Sequence, residues 1–348
     1  MGEVVFSPLY EVLKKRGVHF RFFEMVTHLS LSDSGTQITG IRLEKALRVE
    51  GEYQPLEIIN GVPCWRKHAD PAQTSPWPTT TDADERQEEL LWGRDFDLVI
   101  LAIPAGALEP ICSELVQTHP RWKDMIAHLP TTATASCQAW LNCPVESVGW
   151  GGPNPEKGPV VGAFSGLFDT WADMTHTLAH EGFDAEGGPK QVAYFCAPYP
   201  NPPEPSRAAA SQRLAEQTRT FFERDLKPLW PNLYTDRGEF QWEELWDGAG
   251  QQGARRLNAQ YIRANVEPSE RYVQSHAGTL KYRMKPGESG IKNLFLAGDW
   301  TDNGINIGCV EATVISGELC AEAMKPWCLS NPLRSRRHEL EFETGGPR

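Results

Sequence analysis

The chain has 348 residues, enough to bury a sizeable core in one or two domains, and it carries 46 Asp and Glu against 34 Lys and Arg, a formal net charge of −12. That balance argues against a nucleic-acid partner, whose phosphates require clustered cations. No apolar run approaches the ~18 residues of a transmembrane helix, the N-terminus lacks a signal-peptide layout, and the eight cysteines show no CxxC or paired spacing, so a cytoplasmic protein with reduced thiols is expected.

Residues 8–15 read as a helix with Leu9, Val12 and Leu13 on one face and Gly17 closing it. Strands are predicted over 18–23, 26–31 and 36–47, the last with Ile38, Ile41 and Leu43 inward. Residues 52–95 are polar and Pro-rich around TSPWPTTTDAD and read as a long excursion loop with little fixed structure. The run DLVILAI at 97–103 is a short buried strand, closed by Pro104 and Gly106 and followed by a helix over 107–116.

From about residue 128 the pattern changes. Strand-like runs recur at 134–141, 160–164 and 191–196 between Gly- and Pro-rich loops, 200–205 is a stiff linker, and 206–230 is an amphipathic helix with Leu214, Phe221, Phe222, Leu226 and Leu229 near one face. Trp140, Trp150, Trp171, Trp242 and Trp246 are candidates to line a pocket; for each, a core position is the plainer alternative. Gly248 to Gly253 fits Gly-x-Gly-x-x-Gly literally. The segment before it is too acidic for a buried strand, and Glu267 follows too soon for the ~30-residue unit that a nucleotide loop needs, so a surface turn is expected. Asp173, His176 and His180 would share a helix face, but no cysteine or acid cluster joins them, which favours a structural role over a metal site. Ser165 in GAFSG misses the nucleophile-elbow spacing by one position.

The most informative stretch is 293–324, NLFLAGDWTDNGINIGCVEATVISGELCAEAM. Leu294 to Ala297 suit a buried strand, Asp302, Asn303 and Gly304 a polar turn, and Val310, Val314, Ile315 and Ala321 a helix. Ser316 and Gly317 are small enough for that helix to approach a neighbour closely. A strand–loop–helix unit aims N–H groups and the positive end of a dipole at whatever lies beyond the strand tip, here near Gly308 and Cys309, and Asp299 is placed to accept hydrogen bonds from sugar-like hydroxyls.

The residues Ala297-Gly298-Asp299, the aromatic Trp300, then Gly308-Cys309-Val310-Glu311-Ala312 and Ser316-Gly317 resemble the C-terminal flavin-binding motif of the FAD-dependent superfamily of amine oxidases, phytoene desaturases and hydroxysqualene dehydroxylases. The resemblance implies an α/β fold: an FAD-binding, Rossmann-like domain of glutathione-reductase type over 1–127 (with the excursion loop 52–95) and 286–328, and an α+β mixed-sheet substrate domain over 128–285, with 329–348 a solvated tail. It implies FAD as cofactor, with Asp299 on a ribityl hydroxyl, Gly298, Trp300 and Gly308 around it, and the N–H groups of Cys309 and Val310 toward the pyrimidine ring. It places Val26 at the strand that meets the adenine and Pro104 beside the cofactor. Lys281, Tyr282 and Arg283 are the candidates for a catalytic role, since amine oxidases of the superfamily position a water with a lysine; surface placement is the default for Lys and Arg.

The implied activity is hydride transfer from a substrate C–H or C–N bond to flavin N5, closer to the desaturase branch, with a hydrophobic small-molecule substrate. An amine or amino-acid oxidase subunit is the alternative. The Gly-x-Gly-x-x-Gly strand–turn–helix unit that cradles the pyrophosphate is missing from the start of the sequence. A partner chain supplying it, a truncated flavoprotein, and a structural subunit without flavin all remain open.

Overall fold

Two compact units make up the chain, each drawing on separated stretches of sequence. The first comprises Met1–Phe23, Leu47–Trp77 and Thr131–Tyr272; the second comprises Glu24–Ala46, Pro78–Pro130 and the chain from Val273. Their structure, a computed structural model, describes residues 1–78, 83–152, 158–164, 166–183, 187–199 and 206–330 and is mixed α/β with several sheets and helices. Among these residues no helix is long and apolar enough to cross a membrane.

The first unit is built on a five-stranded antiparallel sheet in the order Val160–Val161, Thr170–Asp173, Gln191–Pro198, Thr134–Leu141, Tyr261–Asn265. In its fourth strand, Thr134–Leu141, Ala135, Cys137, Ala139 and Leu141 are buried on one face, where they pack in one core with Trp171 and Phe195 of the neighbouring strands and with Phe221 and Trp230. These rings meet largely edge to face, as Trp171 and Trp230 do at 5.6 Å and 78°. The helix Arg207–Thr220 covers this core through Ala210 and Leu214 and starts at Ser206, whose Oγ accepts from Ala209 N at 3.2 Å. The helix expected over 206–230 gives way to a wider turn at Phe221–Asp225, which seats both phenylalanines in the core.

The N-terminal helix forms at Ser7–Lys15 and ends as expected, with Gly17 at φ +82° and Val18 N bonded to Leu13 O at 3.0 Å. The strand expected over 18–23 does not form. Phe20 and Phe22 pack against the Tyr10 ring, Phe22 and Phe23 pack against Tyr53, and Phe23 turns at φ +59°. The aromatic run supports a ring cluster in place of a ladder. The sheet of this unit, expected to be mixed, is antiparallel in its strand pairings, and residues 1–23 group with it.

The excursion loop is also more ordered than expected. Leu56–Ile59 and Val62–Trp65 form a hairpin through Asn60 and Gly61, both at positive φ (48° and 81°), the signature of a type I′ turn. Gln87–Leu91 joins Ile38–Lys45 as the third strand of a sheet that begins with Glu24–Leu31.

In the second unit a parallel pair, Val99–Leu101 and Leu294–Leu296, sits at the centre of the core with Leu108, Leu115, Trp122, Met125 and Trp300. The helix expected over 107–116 is broken at Cys112 into Leu108–Ile111 and Ser113–Thr118, followed by Pro120–His128. Buried Asn293 ties the pair to the antiparallel sheet, its Oδ1 accepting from Ile38 N at 2.8 Å and its Nδ2 donating to Ile38 O at 2.9 Å. The last helix runs Val310–Ser330.

Candidate functional site

The strand Leu294–Leu296 is buried throughout, and Ala297 N continues the parallel pairing with a bond to Leu101 O at 3.0 Å. The chain then turns at Gly298, φ +135°. A Cβ here would stand 2.6 Å from Trp300 Nε1, so the turn requires glycine. Trp300 itself points into the core at 1% exposure, which leaves only its backbone to meet anything outside.

Ser316 joins the strand tip to the last helix. Its Oγ accepts from Gly298 N at 3.0 Å and lies 2.7 Å from Thr301 Oγ1. Of the two small residues expected to permit close approach, Ser316 makes it, whereas Gly317 is exposed and faces open space.

The intervening loop is fixed by its own side chains. Asn303 Oδ1 accepts from Ile305 N and Asn306 N at 3.1 and 2.9 Å, and Asn306 Oδ1 accepts from Asn303 N at 2.9 Å. Gly304 and Asn306 take positive φ, 89° and 59°. Beyond it Cys309 caps the helix, its Sγ accepting from Ala312 N and its carbonyl from Thr313 N. The Cys309 N–H is engaged by Ile307 O at 3.1 Å, so the amides of Val310 and Glu311 carry the positive end of the helix. Gly308 is exposed, and Ile305, Ile307, Val310 and Val314, all large and apolar, are 39–55% exposed around this helix mouth. The corner is open.

Asp299, at the other end of this loop, is half-buried. Burial pushes its carboxyl above the ordinary value, opposed by the Arg283 guanidinium and by the N–H groups of Asp299 and Trp300. Arg283 is buried, donating from Nη1 to Asp299 O at 2.7 Å and from Nη2 to Gln274 O and Ser275 Oγ at 3.1 Å each. Burial pushes the guanidinium down, against the pull of Asp299 and Asp302. Arg283 thus clamps the loop from within.

Its neighbours in sequence face outward. Lys281 is exposed with Nζ 4.9 Å from the Tyr282 ring, and Tyr282 stacks on His128 at 3.9 Å. Val26, paired with Leu43, packs on the core of this unit, as do Ile103 and Ala105 on either side of Pro104. Hydrogen bonds thus join Arg283 to the Asp299 backbone and Gly298 to Ser316, whereas Gly308, Cys309 and Val310 lie at the far end of the loop, where the helix starts. Arg283 as a clamp and Ser316 as a pin escaped the sequence reading, because only tertiary burial separates them from ordinary surface polar residues.

In the first unit Trp171 is fully buried, and Trp150 and Trp242 pack on the core, whereas Trp140 and Trp246 line a cleft of about 700 Å³. At Gly248–Gly253 the Asp247 carboxylate accepts from Ala249 N at 3.0 Å and from Gln251 N, which makes a tight turn. Asp173 Oδ1 accepts from Thr175 N and Oγ1, and Thr175–His180 is a 3-10 turn; among the described residues no group of side chains is arranged to hold a metal ion. Ser165 and the tail from 331 lie outside the described residues.

No family model matches the chain, and no curated protein matches it. Among solved structures it is similar to an oxidoreductase from Methanosarcina mazei, at 14% identity and a TM-score of 0.47, over 91% of this chain and 53% of that one. The chain thus spans about half the length of that protein.

Proposed function

We propose that the second unit holds the flavin end of FAD and that the protein is an FAD-dependent oxidoreductase acting on a C–H or C–N bond of an apolar small molecule. One observation carries this reading: a loop fixed by Arg283, Asn303 and Asn306 runs from the half-buried Asp299 to the exposed N-terminus of the last helix, with large apolar side chains left in water around that helix start. The residues fit the group. The amides of Val310 and Glu311 offer donors and a positive dipole to an electron-rich heterocycle edge. The Asp299 carboxylate offers an acceptor for a polyol hydroxyl. Ile305, Ile307 and Val310 offer apolar cover that would otherwise remain in water.

When bound, a flavin supplies a two-electron acceptor for hydride. This chain's part is to orient the ring and to fix the backbone at Asp299, whose carbonyl accepts from Arg283 Nη1 and Asn303 Nδ2. None of Lys281, Tyr282 and Arg283 is given a proton-transfer role, because the first is exposed and the last is fully engaged. Among the described residues no Gly-rich strand–turn–helix unit is present for the pyrophosphate, so the reading includes a partner segment, from another chain or from sequence beyond this one, that supplies it.

Retention of flavin through gel filtration tests the cradle. Asp299→Ala should weaken retention by about tenfold, the worth of one charge-assisted hydrogen bond. Gly308→Trp should abolish it by filling the helix mouth. Retention equal to the parent in both variants would remove this assignment.

A further inference from the structure

The cleft of the first unit is a second candidate site, and its argument does not rest on the flavin reading. Gln138 and Trp140 stand on the face of Thr134–Leu141 opposite the core, and Tyr261 is the cross-strand neighbour of Gln138. Trp140 and Phe183 meet at 6.0 Å and 66°, and Phe183 and Trp246 at 4.8 Å and 73°. With Tyr261 these rings wall the cleft. Rings set so steeply to one another do not make a flat stacking platform; they suit a compact group better than a flat one. Their positions are fixed from outside the cleft, where Trp246 Nε1 donates to Gly187 O at 2.8 Å.

Glu181 lines the same cleft. Its carboxylate accepts from Trp140 Nε1 at 2.7 Å, Thr177 Oγ1 at 3.2 Å and, more weakly, Gln138 Nε2 at 3.5 Å. All three donors are neutral, and among the described residues no cation pairs with Glu181. The negative charge is therefore positioned and uncompensated. The backbone is held as well: Asn60 at the hairpin turn donates Nδ2 to Ala179 O and Glu181 O. Lys67 lies on the exposed wall of the cleft and makes no ion pair with Glu181. The net charge of −12 favours encounter with cations.

We propose that this cleft binds a small organic cation, an alkylated ammonium group, with its charge against Glu181 and its alkyl groups against Trp140, Phe183 and Trp246. Aromatic faces attract a cation and cover its alkyl groups, and a carboxylate alone would prefer hydrated metal ions; together they select a bulky, weakly hydrated cation.

Isothermal titration calorimetry of the full chain with choline, and with its uncharged isostere in which carbon replaces nitrogen, tests this directly. Choline should bind at least about tenfold more tightly than the isostere. Glu181→Gln, which keeps an oxygen acceptor for Trp140 Nε1 and offers an N–H that Thr177 Oγ1 can accept, should remove that preference. Lys67→Met, a change at an exposed position that should not disturb folding, should tighten choline binding by roughly twofold or more by removing a like charge. The proposal is overturned if choline binds more weakly than about 10 mM, if the isostere or a neutral hexose binds equally well, or if Lys67→Met weakens binding, which would point to an anionic or zwitterionic ligand. None of these readouts uses flavin, so a failure here and a failure of the cofactor cradle are distinguishable.

Discussion

Asp299 and Arg283 lie in direct opposition, and pH exposes it. Burial raises the Asp299 carboxyl above its ordinary value even though Arg283 and two backbone N–H groups pull it down. A carboxyl whose pKa is higher folded than unfolded binds protons more tightly in the native state. Its contribution to stability is thus fully present below the unfolded value and is lost as pH rises through the folded one. The measurable consequence is a difference between proteins: without flavin, the unfolding free energy of the parent relative to Asp299→Asn should decline as pH is raised from about 3 to about 6 and then level off. A difference that grows more favourable to the parent over that window, in paired urea titrations, would show that the Arg283 interaction outweighs burial. The residues 281–283 illustrate what sequence cannot resolve at this scale. Three adjacent polar side chains read alike, yet only Arg283 is buried, because the carbonyls of Gln274 and Asp299, on either side of it in the sequence, converge on its guanidinium.

At the scale of elements, local pattern was reliable where burial is periodic and misleading where rings cluster. The strand Thr134–Leu141 is legible residue for residue, because alternate small side chains face a core. The motif strand and the last helix follow equally from an apolar triplet, a polar loop and a return to helical spacing. Residues 18–23 misled because Phe20 and Phe22 mimic strand alternation while packing as rings on Tyr10. The hairpin within 52–95 was hidden by the polar composition around it, although Asn60-Gly61 is a strong two-residue turn signal. Both turn residues take positive φ, and a Cβ at position 61 would meet open space, so the effect of Gly61→Ala should be backbone strain alone. A loss of about 1 kcal/mol in chemical denaturation is expected. No loss would mean that the hairpin turns in another geometry.

For the whole molecule, two units assembled from interleaved stretches of one chain could not be read from composition, since periodicity reports which face is buried and not which distant segment buries it. Residues 1–23 and 47–77 group with the antiparallel sheet although they precede residue 131 in the chain, and no local pattern in them announces it. The division leaves two chemically distinct candidate sites, a dipole and carboxylate corner in one unit and an aromatic cleft in the other.

Of these two sites the corner at the last helix is read most directly by a flavin absorbance titration. Adding the purified chain to FAD, alone and with a segment carrying the pyrophosphate-binding unit, should shift the visible flavin bands in a saturable way, with the larger shift when that segment is present. Bands that keep their free-solution form at every protein concentration, with and without the segment, would contradict it.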